Sequence, residues 1–295
     1  MAMINLFYLK TFVAVTRTRS FRIAAERNFI TQPAVSQHIR ILEKTLNAVL
    51  FERKRKSVVL TTAGQTFLPY AEGILKQYED AKDHVRELDN KFTGTIRIAT
   101  IYSIGLYELK STVQKFLKKY PSINLHIEYQ TNAAIYEMVT NRSIDFGMVA
   151  FPSKRAGIVS QTFVEDELVL TQSPHKRIAQ AKAIPIEQLD GAEFIAFVHT
   201  TPTGKVIQRF FAQKKIRLKI RHEYDNIELI KSAVGLGLGC ALLPRKTIIR
   251  ELNNKSLETV HVQGLNLKRP IGILYPKGKV FTKASRAFYE MLTHA

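Results

Sequence analysis

The sequence contains a single cysteine, Cys240, and no long apolar run. One cysteine cannot close a disulfide within the chain, which excludes disulfide-stapled secreted folds and makes a reducing cytoplasm the expected compartment. The longest apolar candidate, residues 233–244, is shorter than the roughly 18 residues that a membrane span needs. The first residues lack a basic head followed by an apolar stretch, so we expect neither export nor a membrane partner.

Motifs that carry catalysis are also missing. The chain has no HExxH, GxSxG, Walker or zinc-spaced Cys and His set, and its 8 histidines are scattered. Gly235, Gly237 and Gly239 precede an apolar strand pattern instead of following one, so close packing explains them better than dinucleotide binding. Cys240 lies among small apolar residues, which favours a core-filling role. We therefore expect no enzymatic activity, no cofactor and no metal.

Acidic residues are scarce relative to basic ones. The chain carries 44 Lys and Arg against 25 Asp and Glu, a formal net charge of +19. Residues 1–60 hold 11 basic and 3 acidic residues, hence +8, and a run of basic residues, 53–56, lies at the end of this segment. Such a surplus favours a polyanionic partner that binds the N-terminal segment first. A solvated basic face without a partner is the alternative.

The basic segment shows three helical patterns in succession. Apolar spacing and polar caps predict helices over residues 5–17, 21–28 and 31–46, the last with Pro33 in its first turn. The outer face of this third helix carries hydrogen-bonding or basic side chains: Ser36, Gln37, Arg40 and Lys44. Glutamine can bond an adenine edge and arginine a guanine edge or a phosphate, so the pattern predicts a helix-turn-helix that enters the major groove of DNA. A solvated polar face is the alternative.

Two short apolar stretches, residues 49–53 and 58–61, flank the basic run and predict a β-hairpin wing. At this point the chain resembles the winged helix-turn-helix of LysR-type transcriptional regulators. The residues that carry the resemblance are Ser20-Phe21, Ala24-Ala25, Thr31-Gln32-Pro33-Ala34-Val35-Ser36, Leu42-Glu43, Leu46, Leu50-Phe51-Glu52-Arg53, Leu60-Thr61 and Ala63-Gly64. The DNA contacts that the resemblance implies come from Thr31, Gln32, Pro33, Ser36, Gln37 and Arg40, with Arg53 and Arg55 in the wing.

Residues 62–90 carry apolar side chains spaced alternately four and three residues apart. The seam consists of Phe67, Ala71, Ile74, Tyr78, Ala81, Val85 and Leu88. This spacing predicts a long helix that pairs two copies of the chain, with a helix packed on its own domain as the alternative. Pro69 predicts a helix start or a bend nearby. The resemblance also implies a linker helix for dimerisation, and two-fold pairing would set two half-sites about one DNA turn, or a multiple, apart.

From residue 93 onward, strand and helix patterns alternate. Strands are predicted over residues 95–101, 123–129, 145–150, 168–172, 193–198, 218–224, 241–243 and 270–275, and helices over 106–120, 133–141, 205–214, 227–235 and 282–292. This order predicts parallel sheets wound by helices. Its length favours two α/β lobes joined by two crossovers, the periplasmic-binding-protein-like architecture that LysR-type effector domains share. The residues that support this looser resemblance are Asp145-Phe146-Gly147 and the glycine-rich stretch 232–244.

The expected chain therefore has an α/β fold with three parts. Residues 1–61 form an all-α winged helix-turn-helix domain, residues 62–92 a linker helix, and residues 93–295 a two-lobed effector domain. Lobe I takes about residues 93–163 and 267–295, and lobe II about residues 164–266.

Ligands of open α/β sheets lie beyond the carboxyl ends of strands, next to helix starts that favour anions. Hydroxyl, amide and aromatic side chains at these positions form the predicted effector site: Thr100, Tyr102, Ser103, Thr131, Asn132, Phe151, Thr200, Thr201 and Thr203. For each Ser or Thr a capping or turn role is the alternative. The expected ligand is a small anion of unidentified chemistry.

These patterns together predict a cytoplasmic transcription factor that acts as a homodimer or homotetramer. Its expected partners are double-stranded operator DNA, a small-molecule effector and, as a further candidate, RNA polymerase. The alternative function is a solute-binding receptor for transport or signalling, which the same two-lobed architecture would serve.

Overall fold

The computed structural model describes residues 5–54, 57–87 and 92–293. Its first part is a bundle of helices α1 (Leu6–Thr18), α2 (Phe21–Asn28) and α3 (Gln32–Leu46), as the sequence predicts. Each helix follows a polar residue whose side chain accepts a hydrogen bond from a backbone N–H of the first turn: Asn5, Ser20 and Thr31. The buried faces of the helices share one core, which includes Leu9, Phe12, Ala24, Ala25, Val35, Ile39 and Leu42.

A β-hairpin follows the helices and packs on the same core. Its strands β1 (Phe51–Lys54) and β2 (Ser57–Leu60) pair antiparallel. Glu43 of α3 fixes the approach to the hairpin, since its carboxylate accepts a hydrogen bond from the Leu50 amide at 2.8 Å. The predicted winged helix-turn-helix is confirmed, although Arg55 of the predicted wing tip lies outside the described residues.

One long helix, α4 (Thr62–Glu87), connects this domain to the rest of the chain. Its 26 residues span about 39 Å at the rise of an α-helix. The Thr61 hydroxyl accepts a hydrogen bond from the Gly64 amide at 3.0 Å and caps the helix. Pro69 lies inside the helix, so the expected start near this proline is not observed, because the cap at Thr61 begins the helix earlier.

Beyond residue 92 the chain forms two α/β lobes. In chain order their elements are β3 (Gly94–Thr100), α5 (Tyr102–Tyr107), α6 (Leu109–Lys119), β4 (Ile123–Tyr129), α7 (Asn132–Thr140), β5 (Phe146–Ala150), β6 (Ile158–Gln172), β7 (Ala183–Pro185), β8 (Glu193–Phe197), α8 (Pro202–Gln213), β9 (Lys219–Tyr224), α9 (Ile227–Gly235), β10 (Ala241–Pro244), α10 (Ile249–Asn253), β11 (Glu258–Gln263), β12 (Lys268–Pro276) and α11 (Lys283–Thr293).

Strands β6 and β12 connect the two lobes. In lobe I, β3 pairs parallel with β4 and β5, and β12 pairs antiparallel with β5 and with residues 158–167 of β6. In lobe II, residues 168–172 of β6 pair antiparallel with β10 and β11, while β8 pairs parallel with β9. The long strand β6 therefore contributes to both lobes, and β12 returns the chain to lobe I.

The structure corrects four details of the predicted lobes. The sheets are mixed instead of parallel, because β6 and β12 run in opposite directions between the lobes. Strand β6 begins at Ile158, ten residues before the predicted start at residue 168, since its first half mixes half-buried and exposed positions and has no apolar run. The helix predicted over 106–120 is divided at Glu108 into α5 and α6. Elements β7, β11 and α10 are absent from the prediction because each is short and partly polar.

The glycine-rich stretch before β10 packs closely, as the sequence predicts. A Cβ on Gly239 would lie 2.7 Å from the carbonyl oxygen of Glu193, which only glycine avoids. The neighbouring Cys240 is fully buried, and burial raises the pKa of its thiol to about 12. The thiol is thus protonated at neutral pH and fills core volume, which confirms the expected role.

Candidate DNA-reading surface and interlobe cleft

The outer face of α3 presents the predicted DNA-reading residues together. Thr31, Gln32, Pro33, Gln37 and Arg40 are exposed, and Ser36 between them is half-buried. The opposite face is buried in the core of the N-terminal domain. The helix thus presents one continuous polar and basic surface. The major groove of DNA is wide enough to admit an α-helix.

His38 fixes the orientation of this surface. Its Nδ1 lies 3.0 Å from the Thr11 hydroxyl of α1, and its ring packs on Phe7 and Tyr8 with centroids 5.4 and 4.7 Å apart. Partial burial lowers the pKa of His38, so the neutral ring is favoured. His38 therefore joins α3 to α1, and Arg40 two residues later is held on the outer face.

The wing is described only in part. Arg53 lies in β1, opposite Val58 of β2, and its side chain is not among the described ones. Arg55 lies outside the described residues altogether. Phosphate contacts by these two arginines therefore stay a prediction.

The seam of α4 divides between two environments. Phe67 and Ala71 pack into the core of the N-terminal domain, as in the alternative of a helix packed on its own domain. On another face of α4, a stripe of apolar residues is exposed in the single chain: Tyr70, Ile74, Tyr78, Ala81 and Val85, with Val85 66 % exposed. We call these five residues the α4 stripe; Leu88, at its predicted end, lies outside the described residues. Exposed apolar rows of this kind mark interaction surfaces.

A third face of α4 is docked on lobe I through buried charges. Lys76 Nζ lies 2.8 Å from Asp145 Oδ1, and Lys279 Nζ lies 2.7 Å from the same oxygen. The Lys76 and Asp145 side chains are only 2 % and 4 % exposed. Close approach is fixed by Gly73, where a Cβ would lie 2.0 Å from the carbonyl oxygen of Asn141. We call Lys76, Asp145 and Lys279 the docking triad.

Asp145 is charged in spite of its burial. Burial by itself would raise its pKa, but Lys76, Lys279 and a hydrogen bond from the Arg97 amide at 2.8 Å together hold the pKa below its ordinary value. Two buried ammonium groups thus share one buried carboxylate, an arrangement that is costly to break.

The predicted effector residues lie at the carboxyl ends of strands in both lobes. Thr131 caps α7 by accepting a hydrogen bond from the Ala134 amide at 3.3 Å, and Thr201 caps α8 by accepting one from the Gly204 amide at 3.1 Å. The capping role is therefore observed for both threonines. A contact with an effector stays a prediction for each.

The remaining predicted effector residues differ in accessibility. Thr100 and Thr203 are buried, whereas Tyr102 and Thr200 are exposed. Asn132 Nδ2 donates a hydrogen bond to the Ala150 carbonyl at 3.3 Å, next to Phe151, whose φ of 52° is left-handed. Ser103 meets a charged side chain, since Arg269 Nη2 donates a hydrogen bond to its Oγ at 2.7 Å.

Polar contacts between side chains of lobe I and lobe II join the two lobes. Tyr107 of lobe I donates a hydrogen bond to Glu228 Oε1 of lobe II at 2.5 Å and accepts one from Lys231 Nζ at 2.7 Å. Lys231 also lies 2.8 Å from Glu251. Glu108 of lobe I pairs with Lys246 of lobe II at 2.8 Å. These contacts join the two lobes along the side that α5 lines.

Comparison with known proteins places both parts of the chain. Residues 6–65 match the family described as "Bacterial regulatory helix-turn-helix protein, lysR family", and residues 89–295 match "LysR substrate binding domain". The chain belongs to the LysR family of transcriptional regulators. It binds DNA through its N-terminal domain and a small-molecule effector through its two lobes.

Relatives of this LysR-type regulator align over nearly its whole length. A probable RuBisCO transcriptional regulator of Thalassiosira pseudonana is 32% identical over 292 residues, which are 96% of this chain and 95% of the relative. The solved structure of CbnR, described as a LysR family transcriptional regulator, has a TM-score of 0.75 and 21% identity, and the match covers 98% of each chain. The regulatory domain of Synechocystis CcmR, solved in complex with 2-PG, has a TM-score of 0.62 and 23% identity over 68% of this chain and 96% of that domain.

The family assignment decides between the two functions considered from the sequence. A transport receptor would not need the helix-turn-helix domain of residues 6–65, and this alternative is not retained for the LysR-type regulator. None of its described helices is both long and apolar enough to cross a membrane.

Sequence reasoning missed the charged residues at the hinge of this LysR-type regulator. Arg269, Asp166 and Glu108 are buried near Ser103, but none belongs to a motif. The available signal was weak: Arg269 directly precedes the apolar run of β12, and Asp166 lies inside a strand where a charge is costly.

Proposed function

We propose that this regulator works as a homodimer, or as a tetramer of two dimers, on a two-half-site operator. The observation that carries the proposal is the combination of a polar reading face on α3 with the exposed α4 stripe in one rigid N-terminal unit. Binding of a small anion between the lobes would change the spacing of the two reading helices. In this proposal the chain carries out no catalysis and uses no cofactor.

On the DNA side, Gln37 and Arg40 are proposed to read base edges, because both are exposed on the middle of the outer face of α3. Gln32 lies in the first turn of α3, beside Thr31 and Pro33, and Ser36 directly precedes Gln37; both suit phosphate or base contacts. Arg53 and Arg55 of the wing are proposed to bind phosphates. These contacts predict an affinity that falls steeply with salt, since Lys and Arg displace counterions.

On the protein side, the α4 stripe is proposed to pack against the same stripe of a second copy. A two-fold axis there brings two reading helices to successive half-sites. A tetramer would need a second contact between effector domains. A cytoplasmic location is proposed because the proposed partner is DNA, and RNA polymerase is a candidate partner for transcriptional output.

The effector is proposed to bind between the lobes at the predicted residues of both: Thr100, Tyr102, Ser103, Thr131, Asn132, Phe151, Thr200, Thr201 and Thr203. Their position at the carboxyl ends of strands supports this site. The surplus of basic residues over acidic ones in the chain favours an anion.

Replacing Tyr78 by glutamate tests the proposed dimer. The substitution puts a charge into the α4 stripe, so the variant should sediment as a monomer and bind an operator, selected from random duplexes with the wild type, at least about tenfold more weakly. Gln65→Glu is the matched control, because Gln65 is exposed on the opposite side of α4 from the stripe. The control should sediment and bind like the wild type. A wild-type chain that sediments as a monomer and retains duplexes of every sequence equally at moderate salt would contradict the proposed function.

A further inference from the structure

The hinge between the lobes contains a buried guanidinium whose hydrogen-bonding capacity is largely unused within the described residues. Arg269 lies at the start of β12, directly opposite Asp166 of β6, and is 3 % exposed. Within the described residues it makes no ion pair, and its side chain has the single hydrogen bond to Ser103 Oγ at 2.7 Å. Its Nε is buried and has no hydrogen-bond partner there. Buried charges in folded proteins are normally paired, so this group is placed to meet something else.

Two buried carboxylates next to Arg269 show the same shortage. Asp166 Oδ2 and Glu108 Oε1 are buried and have no hydrogen-bond partner among the described residues. Both carboxylates raise the pKa of Arg269, but burial outweighs them and lowers it to about 10. Burial, followed by the neighbouring Glu108, raises the pKa of Asp166. The hinge thus brings together one donor, Arg269 Nε, and two acceptors, Asp166 Oδ2 and Glu108 Oε1, that have no hydrogen-bond partner among the described residues.

The cluster lies where the effector is proposed to bind. Ser103 follows the carboxyl end of β3, and Arg269 and Asp166 lie on the two strands that cross between the lobes. Ser103 accepts the hydrogen bond from Arg269, so its own O–H is left to donate. A ligand seated here would touch lobe I through Ser103 and both connecting strands at once.

We propose that this cluster binds a small carboxylate that carries a hydrogen-bond donor on the carbon next to its acid group. The carboxylate would accept from Arg269 Nε and the Ser103 hydroxyl. An adjacent ammonium would donate to both Asp166 Oδ2 and Glu108 Oε1, and an adjacent hydroxyl would donate to one of these two oxygens. The proposal rests on the effector role of the cleft and names the chemistry of the ligand. Hydroxy acids and amino acids share this chemistry.

The charge balance of the cluster favours such a ligand over a highly charged one. Arg269 and Lys246 contribute two positive charges, and Asp166 and Glu108 contribute two negative ones, with Glu108 paired to Lys246. A polyphosphate therefore meets no surplus of positive charge at this position. A zwitterion with one acid group and one adjacent ammonium satisfies all three unused atoms and adds no net charge, while a hydroxy acid satisfies two of them and adds a single negative charge.

Titration calorimetry of the full chain with three matched acids tests the proposal. Lactate, alanine and propionate differ only in having a hydroxyl, an ammonium or a hydrogen on the second carbon, and inorganic sulfate serves as an anion without a donor. Lactate or alanine should bind at least about tenfold more tightly than propionate and sulfate, because leaving buried acceptors unpaired is costly. The member of the pair that binds identifies the donor as hydroxyl or ammonium.

Variants assign the binding to the cluster. Arg269→Gln should weaken the tighter acid by about tenfold or more, and Asp166→Asn should remove the preference over propionate. Arg250→Gln is the control, since Arg250 is an exposed arginine of α10 in lobe II and its loss should change nothing. If Arg269→Gln does not fold, the Asp166→Asn comparison decides alone.

Several results would overturn the proposal. One is equal binding of propionate and lactate by the wild type, and another is a preference that survives in Asp166→Asn. Absence of binding by all four compounds would overturn it as well. Operator binding measured on the same sample keeps the two conclusions separate, because a chain that selects its operator but binds none of these acids is still a regulator.

Discussion

Arg40→Ala is expected to lower affinity for the selected operator by roughly 10- to 100-fold while changing affinity for scrambled duplexes much less. A bidentate contact between arginine and a guanine edge is worth about 1–3 kcal/mol of discrimination, and roughly 1.4 kcal/mol is tenfold. Arg40 is exposed on the outer face of α3, next to Gln37, where a base edge of the major groove would lie. Fluorescence anisotropy on both duplexes at several salt concentrations measures the effect.

Two further variants separate base reading from simple charge. Arg40→Lys keeps the positive charge but not the two-pronged geometry, so it should restore nonspecific binding and leave discrimination low. Arg27→Ala removes an exposed arginine of α2 and should leave discrimination intact. If Arg40→Ala weakens both duplexes equally and reduces the salt slope by about one, Arg40 binds a phosphate and the base-reading role is wrong.

Asp145→Asn is expected to lower the free energy of unfolding by about 3–5 kcal/mol, because it removes the buried carboxylate that Lys76 and Lys279 share. Both Lys76 and Lys279 would lose that partner in the docking triad. Urea unfolding followed by circular dichroism measures the loss. Asp80→Asn is the matched control: Asp80 also pairs with Lys76 but is 27% exposed, so its loss should cost about 1 kcal/mol or less.

The same carboxylate predicts an acid-sensitive part of the stability. The pKa of Asp145 in the folded chain lies below its ordinary value of 3.8. Its contribution is therefore complete above that ordinary value and is lost as the pH falls through the folded-state pKa. The wild type should lose stability over this acid range more steeply than Asp145→Asn. Equal acid profiles for the two proteins would mean that the docking triad contributes nothing.

The N-terminal domain was predictable because its determinants are local. The caps Ser20 and Thr31 and the apolar spacing of α3 lie within a few residues of the structure that they specify. Four residues of the α4 stripe, Ile74, Tyr78, Ala81 and Val85, were visible in the sequence for the same reason. The packing of Phe67 and Ala71 into the N-terminal core was not, since it depends on where α1 lies.

The hinge was not predictable because its determinants are distant in sequence. Arg269 meets Ser103 and Asp166 only after β12 has returned from lobe II, and Lys76 meets Asp145 only after α4 docks on lobe I. The threonines chosen at strand ends did lie there, but single residues do not show whether a hydroxyl caps a helix or binds a ligand. A charged residue inside a strand, such as Asp166 or Arg269, interrupts the apolar pattern. Such an interruption is a better sequence signal for the hinge than a threonine at a strand end.

The docking of α4 on lobe I has a mechanical consequence for the two reading helices. From Gly73, which contacts Asn141 of lobe I, back to Thr62 the helix extends about 17 Å. A tilt of about 10° at the docked end would displace the far end by about 3 Å, close to one base-pair step of DNA. A reorientation of lobe I by about 10° would therefore be enough to move a reading helix out of register with its half-site.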